Sequence, residues 1–374
     1  MNAIATKEIR EDSFLKLTLA VDSLTGASPS GAVANATPQT FTSPSGNTSY
    51  VVTGGGPLLD SSFHDSRTAV GANYTLPITR LTTLDVGASL SDEYDYSHTG
   101  INARLARDLN NRNTTLSFGV ALANDTINPV GGSPTPLSPM LGVIGGSKGG
   151  DKSKDVTDYL LGLTQVINRQ TIVQFNYSLS QSSGYLNDPY KILSVVDPLT
   201  GDPVVGPPGS GINLFLYESR PDTREKQSLY GLYKHDIDGN VFDISYRLMT
   251  DDWGIDSHTI DMHYRAQLGG GRYIQPHLRF YTQTAADFYD TVLFNGAPVP
   301  QFATADYRLG KFDAVTLGLK FGMPTRTGEL SARLELYQTS GTASPGAAVG
   351  SLRGFDLYPN LTAVVAQFSY KFGG

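Results

Sequence analysis

Cysteine is absent from the 374 residues, so neither a disulfide nor a thiolate metal site holds this chain together. Long apolar runs are missing as well, and none approaches the ~18 residues that a spanning helix needs. Basic residues are in deficit: a net charge of −7 and a pI near 5.3 exclude the basic footprint of nucleic-acid binding. At 39% hydrophobic residues the chain is poor for a large conventional core. The first twelve residues, MNAIATKEIRED, lack the apolar segment of a secretory signal; we read Met1 as an added start before a mature sequence whose signal has been removed.

What is present is glycine, tyrosine and phenylalanine (40, 20 and 16 residues, against one tryptophan) and, above all, alternation. The last segment, Thr362 to Phe372, sets Val364, Ala366, Phe368, Tyr370 and Phe372 on one face and Val365, Gln367, Ser369 and Lys371 on the other. This period of two marks a strand. The same pattern recurs along the chain: Leu15, Leu17, Leu19 and Val21; Leu84, Val86, Ala88 and Leu90; Leu116, Phe118, Val120 and Leu122; Phe242, Ile244, Tyr246 and Leu248; Val315, Leu317, Leu319 and Phe321. Pro276 interrupts one such strand and predicts a bulge there.

Between strands, tight turns alternate with connections that are often long and rich in Gly, Ser, Thr and Pro, and the long ones fall at one end. A barrel with an apolar outside and a wet inside needs only half of each strand to be hydrophobic, so a mean hydropathy of −0.19 is compatible with membrane insertion. The pattern predicts an all-β, transmembrane, antiparallel up-and-down β-barrel of about 14 strands, with long extracellular loops and short periplasmic turns. Residues 1–374 then form a single domain, with 1–12 a periplasmic N-terminal segment and 361–372 the closing strand.

The aromatic-rich final strand resembles the C-terminal strand of bacterial outer-membrane β-barrels, which the barrel-assembly machinery reads. SLTGASP, SDEYDYSHTG, GYLNDPYK, YESRPDTREKQ and YIQPHLRFYTQTAADFY, spread over nearly the whole chain, resemble a porin-like outer-membrane β-barrel family of unknown function. The resemblance implies an outer-membrane location and contact with outer-membrane lipid and lipopolysaccharide; that no nucleophile elbow or P-loop appears is a separate reading of the residues, from which no enzyme is expected. Thioredoxin-like and flavin-transferase proteins encoded beside such barrels imply a redox or lipoprotein partner, with no residue assigned to it.

Chemistry-bearing motifs are sparse. The six histidines show no paired helical spacing of a zinc protease. His263 and His277 can face each other across the GGGR hairpin, but without a third ligand the preferred reading is polar lining, with no metal and no cofactor. The acidic tips Asp92, Glu93 and Asp95, and Asp251, Asp252 and Asp256, lack the spacing of a calcium loop and read as solvated carboxylates. The candidate lumen-lining residues are Asp243, Arg247, Asp261, His263, Arg265, His277 and Arg279, which share one face of three consecutive strands. A symmetric GGGR hairpin sets Asp261 opposite Arg279, and a tight DDWGID turn sets Arg247 opposite Asp261 and Asp243 beside Arg265.

About 14 strands spaced by ~4.8 Å and tilted by ~40° enclose a cylinder roughly 25–30 Å across, too wide for side chains alone to fill. The expectation is a channel for small polar solutes or ions, constricted by the loop that carries the apolar Ile212 to Tyr217. The alternative is a barrel that scaffolds a periplasmic or surface partner.

Overall fold

The computed structural model describes residues 1–34, 37–42, 49–52, 59–140, 148–208, 212–341, 348–355 and 357–372. Alternating sequence becomes one continuous antiparallel sheet of fifteen strands, each hydrogen-bonded to the next. In chain order they are β1 (Asn2–Arg10), β2 (Ser13–Pro29), β3 (Leu59–Thr79), β4 (Thr82–Asp92), β5 (Tyr96–Leu109), β6 (Thr114–Ile127), β7 (Lys152–Val166) and β8 (Thr171–Gly184). The second half comprises β9 (Thr223–Ile237), β10 (Asn240–Asp251), β11 (Asp256–Gly269), β12 (Arg272–Gln283), β13 (Phe312–Thr325), β14 (Gly328–Gly341) and β15 (Thr362–Phe372).

Three expectations change. Residues 1–12 are not a free periplasmic segment: Asn2–Arg10 pairs along its length with β2, which adds a strand and a hairpin turn to the expected count. With seven further short strands in the connections, the described residues hold twenty-two strands in all. Among the described residues β15 pairs with β14 and not with β1, so 361–372 is the last strand of the sheet as described. Pro276 causes no bulge. The pairs His263–His277 and Ala266–Ile274 on either side of it keep one register, and the shift falls at the hairpin, between Gln267 and Gly269. Losing one donor without changing register leaves every side chain of β12 on its face.

Turn chemistry fixes the hairpins. Asp238 and Gly239 both have positive φ (52° and 88°), which a two-residue turn matched to strand twist requires. Gly269, Gly270 and Gly271 take φ of 83°, 59° and 74° in succession, a path that side-chain-bearing residues would strain to follow.

The two sheet faces differ. Phe118, Leu161, Tyr177, Leu229 and Leu248 face one another in register across β6 to β10, and Leu317, Leu336 and Val364 do the same across β13 to β15. More than half of the surface of Leu161, Phe175 and Leu317 is uncovered. A continuous exposed apolar belt of this kind needs a non-aqueous neighbour. The opposite face is polar and locally stitched by cross-strand contacts.

The compact hydrophobic core lies in the connections, not in the sheet. Gln39–Thr42 pairs with Ser49–Val52, Phe215–Tyr217 pairs with Ile192–Ser194, and Val195 and Val196 pair in parallel with Leu293 and Phe294. Phe41, Met140, Ile192, Phe215 and Tyr217 form one buried cluster; Val33, Val196, Val292 and Leu352 form another; Trp253, Ile255, Phe288 and Leu309 form a third. All these segments emerge from the loop-bearing ends of the strands, and together they make a folded cap. Ile212 to Tyr217, expected to fold inward, belongs to it, with Ile212, Phe215, Leu216 and Tyr217 buried.

Within the sheet the largest buried side chain is Tyr273, whose ring lies over Gly322 on the neighbouring strand; a Cβ at Gly322 would come within 2.2 Å of it. The guanidinium of Arg265 covers the ring at 3.6 Å, and its hydroxyl donates to Glu329 at 2.7 Å. Gly322→Ala should therefore cost about 1–3 kcal/mol, as overpacking does. A lower urea midpoint of the folded barrel checks this; an unchanged midpoint would show that the ring swings aside freely.

Candidate functional site

Two regions concentrate polar chemistry: the underside of the cap and the wall formed by β10 to β14.

Beneath the cap lies a cavity of about 620 Å³ at the loop-bearing end of β2 to β9. Asp60, Asp65, Glu93 and Asp95 line it on the side of β3 to β5, and Lys154, Arg220, Arg224, Lys226 and Arg308 line it toward β7 to β9 and the cap, where Asp188 and Lys191 also reach it. Opposite charges across a gap set up a transverse field that low-dielectric walls strengthen. Burial raises the Glu93 carboxyl, with Asp65 adding to the effect, and burial likewise raises Asp95, which accepts from the Tyr190 hydroxyl at 2.5 Å.

The tip carboxylates are less free than solvated groups would be. The Asp251 side chain is fully enclosed: its Oδ1 accepts from the backbone N–H of Trp253 and Ile255 at 3.0 and 2.8 Å, and its Oδ2 holds Arg224 Nε at 2.9 Å. At Asp251 the expected solvated carboxylate is thus a buried turn lock, because Trp253 and Ile255 fold into the cap, while Asp252 and Asp256 stay exposed.

An alternating-charge staple closes the cap. Arg308 bridges Asp188 (2.6 Å) and Asp306 (2.9 Å); Arg220 bridges Asp306 (2.8 Å) and Glu218 (2.9 Å). Glu218 also accepts from the Thr304 hydroxyl and the Asp188 backbone N–H. The staple joins two connections, 185–222 and 284–311. Burial pushes Glu218 up to about 7, with Arg220 opposing and Asp188 adding. At Asp306 burial also acts upward, but Arg308, Lys191 and Arg220 outweigh it and hold the carboxyl well below its usual range. Sequence reasoning missed this group. Its signal was present as charges inside otherwise apolar stretches, in INLFLYESR and ATADYRLG.

The seven wall residues proposed from the sequence fall on three adjacent strands. Asp261 stands opposite Arg279, as the symmetric hairpin required, and His263 stands opposite His277. The other two expected neighbours are corrected. Asp261 faces Ser245 and not Arg247, which faces Thr259; Asp243 faces His263 and not Arg265, which faces Val241. The 252–255 connection shifts the register by two residues, which preserves faces and exchanges partners. Arg247 lies against the Tyr230 ring at 5.4 Å and Arg265 against that of Tyr273. The structure draws Asp243, Asp261, His263 and His277 into contact: His263 Nδ1 lies 3.1 Å from Asp243 and 3.2 Å from Asp261, and His277 Nε2 lies 3.2 Å from Asp261.

A third grouping, Ser89 Oγ to His98 Nε2 (3.2 Å) and His98 Nδ1 to Asp125 (2.7 Å), has the connectivity of a hydrolytic relay. Ser89 sits mid-strand with ladders to Gly71 and Gly100 on either side, so no backbone donors are free to stabilise an oxyanion beside it. Asp125 is instead tied to Lys154 and Tyr96. This is a wall contact.

Fold and site together define an all-β protein built on one antiparallel sheet with an exposed apolar belt, resembling large outer-membrane barrels, its loop end folded into a cap. The chain belongs to DUF3570, a family described as protein of unknown function, whose model matches residues 1–372. A search of curated proteins finds no match. Among solved structures, the chain is similar to the siderophore receptor PirA from Acinetobacter baumannii (8% identity, 98% of this chain and 54% of that one, TM-score 0.45). It is also similar to CdiB from Acinetobacter baumannii (13%, 94% and 59%, TM-score 0.44) and to BamA from Haemophilus ducreyi lacking POTRA domains 1–3 (8%, 91% and 63%, TM-score 0.40). The chain thus spans little more than half the length of these structures, and at these values the likeness transfers no residue or activity to it.

Proposed function

We propose that this protein is a capped outer-membrane barrel that admits small polar or charged solutes through the cavity beneath its cap and along the wall of β10 to β14. The observation that carries this reading is the charge-segregated cavity, whose ~620 Å³ lies within the range of small-molecule sites, about 300–1,000 Å³. The exposed apolar belt supports membrane insertion, since charge at its midplane would cost about 2–4 kcal/mol per residue. Asp243, Arg247, Asp261, His263, Arg265, His277 and Arg279 then line the lumen.

Planar-bilayer recording tests the proposal. The intact chain should pass little current, and replacing residues 198–214 with a short Gly-Ser linker should raise it several-fold. In the open form, Asp243→Ala with Asp261→Ala removes two negative charges from the wall and should shift selectivity toward anions. Absence of current in both forms would sink the channel reading.

A second reading rests on a separate observation. The edge strands β1 and β15 present unpaired, exposed backbone among the described residues, and such edges are templates for a partner strand. A stoichiometric protein co-purifying from native membranes, and lost when prolines are placed along β15, would favour a scaffold.

A further inference from the structure

We infer that Asp261, His263 and His277 form a binding site for a divalent first-row transition-metal ion, such as Zn²⁺, Ni²⁺ or Cu²⁺. This stands apart from the channel reading, because it rests on the wall geometry alone.

The three side chains come from two adjacent strands and place one ligand atom each within 4.8 Å of the others. The imidazole rings stack at 4.2 Å with 8° between their planes, and both present a nitrogen to the same carboxylate. His263 Nδ1 is 3.2 Å from Asp261 Oδ1, and His277 Nε2 is 3.2 Å from Asp261 Oδ2. Ligands ~2.0–2.2 Å from a shared tetrahedral ion are separated by about 3.3–3.6 Å; the two 3.2 Å spacings, one to each oxygen of Asp261, lie close to that, and the ligand atoms all lie within 4.8 Å of one another. Imidazole with carboxylate is a donor set that late first-row ions favour over Ca²⁺ or Mg²⁺.

Outer partners already orient the ligands. Glu335 Oε1 lies 2.8 Å from His277 Nδ1, which leaves Nε2 directed at Asp261, the carboxylate–histidine arrangement that fixes a metal-binding tautomer. Glu335 reaches His277 from two strands away because the intervening position is Gly318, where a Cβ would come within 2.8 Å of the Glu335 side chain. Asp243, 3.1 Å from His263 Nδ1, supplies a further carboxylate at the open side. Three carboxylates around two imidazoles leave a site that favours a cation. The opposing reading is two imidazoles hydrogen-bonded to these carboxylates, with no metal.

The test uses the full-length barrel, refolded in detergent, stripped with chelator and titrated at neutral pH with Zn²⁺ by calorimetry and with Co²⁺ by visible absorption. One ion per chain is expected, with Co²⁺ bands of low-coordinate N/O ligation. Asp261→Asn and His277→Gln should each weaken Zn²⁺ at least 100-fold, and Glu335→Gln about 10–100-fold. His258→Gln, whose imidazole meets the Tyr246 hydroxyl on the outer face, should leave affinity unchanged. Retained heat-modifiable migration shows that each variant is folded. No saturable binding by the folded wild type would overturn the proposal, as would binding that survives both Asp261→Asn and His277→Gln.

Discussion

Replacing Arg220 with methionine should unseat the cap. The guanidinium is the shared cation of Glu218 and Asp306, whose side chains are each only 1% exposed. Removing it strands Glu218 in a low-dielectric interior and leaves Asp306 with Arg308 alone, and breaking a buried network from one side costs about 3–5 kcal/mol. The sheet, held by its own ladders, should remain. The expected result is rapid proteolysis within 185–222 and 284–311, a red shift in the fluorescence of Trp253 as its pocket opens, and unchanged heat-modifiable migration. Arg220→Lys should recover part of the loss, because one ammonium replaces charge but not the planar fork that reaches both acids. A cap as protease-resistant in Arg220→Met as in the wild type would show that apolar packing alone closes it.

The second large effect is in pH. Burial raises Glu218 from an ordinary 4.5 to about 7. A carboxyl with a higher pKa folded than unfolded adds stability that is full below 4.5 and is lost as pH rises toward 7. The groups facing it pull both ways: Arg220 and Thr304 favour the ionised form, and Asp188 opposes it. Asp306, held low, acts in a separate window: its contribution is full above the ordinary 3.8 and is lost only as pH falls below it. The cap should therefore be tightest near pH 4.5 and loosen toward neutrality, by an amount on the order of 3 kcal/mol if the whole shift is expressed. Open-state occupancy in bilayers should rise from pH 5 to pH 7.5 in the wild type and stay low and flat in Glu218→Gln. Identical profiles in the two proteins would remove Glu218 as the titrating group.

The strands were legible in the sequence because a sheet with one apolar and one polar face imposes a period of two. Alternation at Leu15 to Val21 or Phe242 to Leu248 identifies both element and face. The first strand, Asn2–Arg10, was not legible: Lys7, Glu8 and Arg10 interrupt the pattern, and its burial is negligible along its length. Facing positions in the wall were legible where a short turn set the register, as for Asp261 and Arg279, and were lost by two residues where the connection carried buried side chains, as at Trp253 and Ile255. The metal ligand missing from the sequence reading, Asp261, lies two residues from His263 on the same face; strand spacing of i and i+2 places ligands together as surely as the helical i and i+4. The cap was largely invisible, since its contacts join residues far apart in the chain and depend on strand order more than on local pattern.

That long reach sets the timing of assembly. Val33 donates to Ser194, Asn213 to Gln39 and Arg308 to Asp188, so the cap draws on segments separated by 161, 174 and 120 positions. Contacts of such separation carry the largest loop-closure entropy and form after local hairpins have brought their ends together. The fifteen-stranded sheet must exist before its cap can close, and the last species on the folding path is the sheet without its cap. The length of that interval is set by how fast the staple at Arg220 finds its two acids.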